Sequence, residues 1–155
     1  DAANGAMTMA PNGYGKFTIT GQGKIQSVAE KITVAASGAG TSDTFDVLTQ
    51  SVQYFTNDAG ADWTLNIRGD GSTALNTIMD TGESLTVCFL VTIGSSEYRN
   101  DVVQVDGTTS GVTTEWQGGS APTEGNASSI DAYQYTVIKT GDAAFTVLAS
   151  ITQFA

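Results

Sequence analysis

The stretch Tyr133-Gln134-Tyr135-Thr136-Val137-Ile138-Lys139-Thr140-Gly141-Asp142-Ala143-Ala144-Phe145-Thr146-Val147-Leu148-Ala149-Ser150-Ile151-Thr152 reads as two alternating runs joined by a turn. In the first run Tyr133, Tyr135 and Val137 fall on one side and Gln134, Thr136 and Ile138 on the other. In the second, Phe145, Val147, Ala149 and Ile151 alternate with Thr146, Leu148, Ser150 and Thr152. Successive side chains of an extended strand point to opposite faces, so a period of two marks a strand with one buried face. Thr140-Gly141-Asp142 supplies the turn, and the spacing predicts a terminal hairpin of Asp131–Lys139 with Ala143–Thr152.

The same period recurs upstream. Trp63, Leu65 and Ile67 oppose Thr64, Asn66 and Arg68. Ser84–Ile93 is apolar at nearly every position, which predicts a central strand covered on both faces. Val28, Ile32 and Val34 share a face with Ile25 out of phase, so a bulge or break is expected near Ser27. Turn signals punctuate the chain at Pro11-Asn12-Gly13, Gly21-Gln22-Gly23, Gly38-Ala39-Gly40, Asn57-Asp58, Gly69-Asp70-Gly71, Thr81-Gly82, Asp106-Gly107 and Gly118-Gly119. The only helical candidate is Ser72–Asp80, with Ser72 as its cap and Leu75, Ile78 and Met79 on its inner face. These signals predict an all-β fold, an antiparallel β-sandwich or jelly roll of about 8–10 strands, with one short helix near residues 72–80.

Residues 1–23 differ from the rest. Short alternating pieces, Ala6–Ala10 and Lys16–Thr20, lie between glycines with too few large apolar residues for a core of their own. They predict an N-terminal arm or shaft-like segment, leaving residues 24–155 as the β domain.

Composition narrows the function classes. The chain has 155 residues, enough for one domain with its own core. Six basic residues stand against 16 acidic ones, with no His, for a net charge of -10. Such a charge repels phosphate backbones, so nucleic acid is not an expected partner. The longest apolar stretch, Leu85 to Ile93, is too short to span a bilayer, and no membrane insertion is expected. Charged residues are only 14% of the chain, below the roughly 25% of ordinary soluble domains. Thr, Ser, Asn, Gln and Gly supply the polarity, as on extracellular surfaces. Yet Cys88 is the only cysteine, and it reads as a core hydrophobe. The pairing suggests folding in a reducing cytoplasm and service outside. No basic n-region precedes an apolar run, and Asp1 fits a processed chain or a piece of a longer one.

A search for chemistry finds no machinery. Without His there is no Ser-His-Asp or Cys-His system, and zinc would have to rely on one Cys and carboxylates. Gly69-Asp70-Gly71-Ser72 and Asp106-Gly107-Thr108 lack the dense alternating oxygens of a calcium loop and read as tight turns. Gly21-Gln22-Gly23 is a turn and not a phosphate loop. The acids are spread over turns and strand ends, with no visible glycosidase pair. The expectation is a non-enzyme with no catalytic residue, no metal site and no cofactor. Asn126-Ala127-Ser128 matches a glycosylation acceptor, which matters only in a eukaryotic secretory pathway. Two aromatic features are candidate ligand or subunit contacts. Trp116, just before Gly118-Gly119, is either a lid over one end of the fold or a stacking platform or intersubunit anchor. Tyr98 beside Arg99 is either strand-end packing or a ligand contact.

The strings Val105-Asp106-Gly107, Thr114-Glu115-Trp116-Gln117-Gly118-Gly119-Ser120-Ala121-Pro122-Thr123, Gly125-Asn126-Ala127-Ser128-Ser129-Ile130-Asp131-Ala132-Tyr133, Ile138-Lys139-Thr140 and Phe145-Thr146-Val147-Leu148-Ala149-Ser150 occur in this order. With Asn66-Ile67-Arg68-Gly69-Asp70, Ser84-Leu85-Thr86-Val87 and Val91-Thr92, they resemble the C-terminal domain of tail-fibre-like and other virion structural proteins of marine tailed phages, cyanophages especially. The resemblance covers roughly residues 25–155. It implies a homotrimeric virion-surface protein, assembled in the host cytoplasm, with no catalytic residues to carry over. Other virion proteins would be engaged through residues 1–23, and a host-surface glycan is a further candidate partner. Two alternatives stay open: a capsid decoration protein whose arm lashes capsomers, and a carbohydrate-binding module stacking sugars on Trp116 and Tyr98.

Overall fold

Nine strands and one short helix make up the regular structure of residues 16–24 and 26–155, the residues described in this computed structural model. The strands are β1 (Ile32–Ala35), β2 (Ser42–Asp46), β3 (Val52–Asp58), β4 (Trp63–Arg68), β5 (Ser84–Ile93), β6 (Asn100–Val105), β7 (Val112–Trp116), β8 (Ser129–Gly141) and β9 (Ala144–Phe154). The helix α1 (Leu75–Ile78) lies between β4 and β5. A six-stranded sheet has the order β1-β3-β5-β8-β9-β7, and a three-stranded sheet the order β2-β4-β6.

The order is that of a flattened coil. Through β6 the chain alternates between the sheets, so each strand pairs with the one two places on. Strands reached by a full lap run the same way, and β1–β3, β3–β5, β2–β4 and β4–β6 are all parallel. After three laps the chain stays in the larger sheet, where β5–β8 and β8–β9 are antiparallel. The β7–β9 pair is again parallel. The all-β expectation therefore holds, but the antiparallel one does not: five of the seven pairings are parallel. Several turn signals mark arches that cross between sheets and not hairpins within one. A period of two fixes which face a side chain takes and says nothing of the partner strand.

One core lies between the sheets. Trp63, Leu65 and Ile67 of β4 are fully buried, as are Phe89, Val91 and Ile93 of β5 and Tyr133, Tyr135 and Val137 of β8. Trp63 joins the layers, with its ring 5.4 Å from Tyr133 edge-on and 6.1 Å from Phe89. Burying a side chain of this size stabilises the fold by roughly 1.5–3 kcal/mol. Asn100 engages three polar groups at the seam: its Nδ2 donates to Trp63 O (2.9 Å) and Val102 O (3.0 Å), and its Oδ1 accepts from the Tyr135 hydroxyl (3.1 Å). Burial pushes the Tyr133 and Tyr135 hydroxyls upward, so both stay protonated at any ordinary pH, Tyr135 donating to Asn100 and Tyr133 accepting from the Asn100 backbone N–H (3.4 Å).

Four finer expectations are corrected. Cys88 and Leu90 on the outer face of β5 are only half-buried, because no layer of the described residues covers it. Ile32 and Val34 are 45% and 59% exposed, since Thr33 and Ala35 take the inward positions of β1; Val28 lies outside any strand. Lys16–Thr20 forms no strand, and Lys16 instead pairs with Asp80 (2.8 Å) and Glu83 (2.6 Å). Ser72 does not cap the helix. The Asp106 carboxylate does, accepting from Leu75 N (2.6 Å) and Asn76 N (2.9 Å). Asp106 and Gly107 both have positive φ, so the turn that places this carboxylate closes only where Gly and Asx tolerate that conformation. Ala6–Ala10 and Ile25 lie outside the described residues.

Candidate functional site

Trp116 sits at the end of β7 and not in a loop. Its ring is edge-on to Tyr133 (6.3 Å) and Tyr135 (6.2 Å), which themselves stack at 6.3 Å. It is half-buried against the core. Tyr98 also packs against the core from the loop before β6. Arg99 clamps that loop: its guanidinium meets Asp62 (2.9 Å) and Asp101 (3.4 Å), and its backbone N–H donates to Asp62 (2.9 Å). These polar groups are spent on holding the start of β4 beside β6. Trp116 lines one shallow concavity with Glu115, Gln134 and Leu148, and neither Tyr98 nor Arg99 shares it.

The two Asp-Gly turns weighed for calcium do come together. Asp70, Gly71, Asp106 and Gly107 line one small concavity with Arg68. Their carboxylates are engaged by backbone: Asp70 accepts from Ser72 N (2.7 Å), and Asp106 caps α1. The Ser72 N–H is also the main cause holding the Asp70 carboxyl below the usual carboxylate range. The arrangement builds turns, with Arg68 drawn to Asp46 at 2.7 Å.

A concavity of about 790 Å³ lies where no sequence motif pointed. It lies on the outer face of the six-stranded sheet, at the end where β3 and β5 stop and β8 begins. Asp58 of β3 sits beside Thr92 of β5, Thr92 beside Ile130 of β8, and Ile130 beside Phe154 of β9. Tyr54 walls it at the β3 side, and Gly94, Ser95, Ser128 and Ser129 close its end. The ladder slips between Phe55 and Asp58, a bulge that re-aims the Asp58 carboxylate. A Cβ on Gly94 would stand 2.6 Å from Asp58 Oδ2, so glycine is what lets the carboxylate lie there. The signal for this site was poor: Asn57-Asp58 reads as a turn, and only the bulge makes it a strand end beside Thr92.

The hydroxyls in this groove are oriented. Thr56 donates to Ala35 O (3.0 Å), Thr92 to Phe55 O (3.0 Å) and Ser129 to Asn126 O (2.9 Å). With each hydrogen committed to a carbonyl, the oxygen offers lone pairs to the outside. Behind the groove wall Asp131 is fully buried, accepting from Asn126 N (3.0 Å) through one oxygen while Oδ1 finds no partner among the described residues. Burial pushes its carboxyl upward, against the pull of the Asn126 and Gln153 hydrogen bonds.

Among the described residues no group of three or more His, Cys, Asp and Glu side chains is placed to hold a metal ion. No family model, no curated protein and no solved structure matches this chain.

Proposed function

We propose that this chain is a non-enzymatic structural protein of a phage exterior, tail-fibre-like, whose β domain assembles with further copies of itself. The observation that carries the reading is where its uncovered apolar surface lies. Of the eight exposed large hydrophobic residues among those described, Phe17, Ile19, Val28, Ile32 and Val34 all fall between residues 17 and 34. Scattered apolar residues need no explanation, but a run this concentrated on one short stretch asks for a cover. Lys24 and Lys31 fall in the same stretch and Lys16 adjoins it, together half of the six basic residues in a chain of net charge -10. A basic, apolar segment on an acidic body is complementary to another copy of that body. The first lap of the coil also leaves β1 and β2 as edge strands, which are templates for pairing with another chain.

The resemblance to tail-fibre-like proteins supplies the virion setting and the trimer, and the two sheets around one core are read as a sandwich. Light scattering on the purified chain at micromolar concentration tests the assembly, with a mass of three chains expected and a mass of one overturning it. An image of the intact particle that places the chain on the tail supports the fibre reading. Placement on the capsid replaces it with the decoration reading.

A further inference from the structure

We propose that the groove between Tyr54 and Phe154, beside Asp58, binds a neutral saccharide. The lining selects for that chemistry in three ways. Its oriented polar atoms are acceptors, namely the exposed Asp58 carboxylate and the Thr56, Thr92 and Ser129 oxygens whose hydrogens are committed to backbone carbonyls, and the Tyr54, Ser95 and Ser128 hydroxyls beside them can donate or accept, as a sugar hydroxyl does. Such a set asks for a ligand rich in O–H donors. Its apolar surface is Tyr54, Ile130 and Phe154, the last 55% exposed, which suits the C–H face of a sugar ring. Its one charged side chain is the Asp58 carboxylate, with no Lys or Arg, in a chain of net charge -10, so an anionic ligand is repelled.

Shape agrees with an oligosaccharide. From Asp58 on β3 to Phe154 on β9 the row crosses three strand intervals, or roughly 14 Å at about 4.8 Å each. A volume of about 790 Å³ lies within the range of roughly 300–1,000 Å³ typical of small-molecule sites. The bulge in β3 and the missing side chain at Gly94 both serve one end: a carboxylate held at the lip of the groove. Trp116 lies in a different concavity and takes no part.

The inference does not rest on assembly or on a virion setting. A chain that trimerises and ignores sugars loses the groove and keeps that reading; a monomer that binds them does the reverse. The test is a titration of the full ¹⁵N-labelled chain with gluco-, galacto- and manno-configured neutral trisaccharides, each to about 10 mM. A uronate trisaccharide and choline complete the panel. Saturable amide shifts confined to residues 54–58, 92–95, 128–130 and 154–155, with at least one neutral sugar, are expected. Tyr54→Ala and Gly94→Ala, the latter setting a methyl group against Asp58, should each weaken that binding at least about tenfold. Trp116→Ala should leave it unchanged. The wild-type map stands without the variants if either fails to fold. No shift with any neutral sugar, shifts with choline or the uronate alone, or loss of binding in a Trp116→Ala chain that keeps the wild-type fold overturns the proposal.

Discussion

β1 and the β8–β9 hairpin lie in the same six-stranded sheet and are held very differently. The hairpin's strands are the longest in the fold, paired from Ile130↔Phe154 to Gly141↔Ala144, with Tyr133, Tyr135, Val137 and Val147 fully buried. β1 has four residues, one neighbour and two exposed apolar side chains. The hairpin closes a short loop and gains its ladder at low entropic cost, whereas each lap of the coil must first enclose a whole arch. Local opening should begin at β1 and reach the hairpin last.

The contrast can be broken most severely where coil and hairpin meet. Trp63→Ala, which removes the ring between Phe89 and Tyr133, should cost about 3–5 kcal/mol in urea denaturation and abolish any difference between the regions. Lys139→Met comes next. The buried amine donates to Asn76 O (2.6 Å) and Met79 O (3.0 Å), and its loss orphans two carbonyls at the end of α1. A loss of about 2 kcal/mol in the same assay is expected.

Asp131→Asn should act in the opposite direction. The folded carboxyl holds its proton more tightly than the unfolded one, because burial penalises the charge. Its contribution to stability is therefore full below the ordinary carboxylate range and is lost as pH rises through the elevated folded value. Removing the charge should raise stability at pH 7 by about 1 kcal/mol and flatten the pH dependence of the melting temperature in the acid range. Asp70, Asp80 and Glu83, held low by their hydrogen-bond partners, act with the other sign, gaining above the ordinary carboxylate range and losing as pH falls. Their exposure keeps that effect small. Smallest of all is Val34→Thr, on the outer face of β1, which should shift stability by no more than about 0.5 kcal/mol. A large loss there in dilute, monomeric protein would mean that β1 is anchored as firmly as the hairpin.

Much of this was legible in the residues. The faces of β4, β8 and β9, the terminal hairpin and the inner face of α1 all follow from a period of two and from turn chemistry. Strand direction does not follow, because Gly38-Ala39-Gly40 crossing between sheets looks like any other glycine-bearing turn. The capping of α1 by Asp106 was hidden for a different reason. The carboxylate comes from a turn 31 residues away, while Ser72 stood at the spacing a local cap would use. Trp116, Tyr98 and Arg99 stand out as aromatic and charged residues near glycines; Trp116 and Tyr98 pack against the core and Arg99 pairs with Asp62 and Asp101. The groove escaped because its members come from β3, β5, β8 and β9, and only register sets Asp58, Thr92, Ile130 and Phe154 side by side.

The winding of β1 to β6 makes the two ends of the coil unequal. Its last lap is fastened by β8 along the whole of β5. Among the described residues the first has no such fastening on its far side. Residues inserted ahead of β1 could wind on as an additional lap while every register behind it stayed in place. A protein made this way can grow in length from its beginning, as a rope is lengthened from its loose end, without rebuilding what it already has.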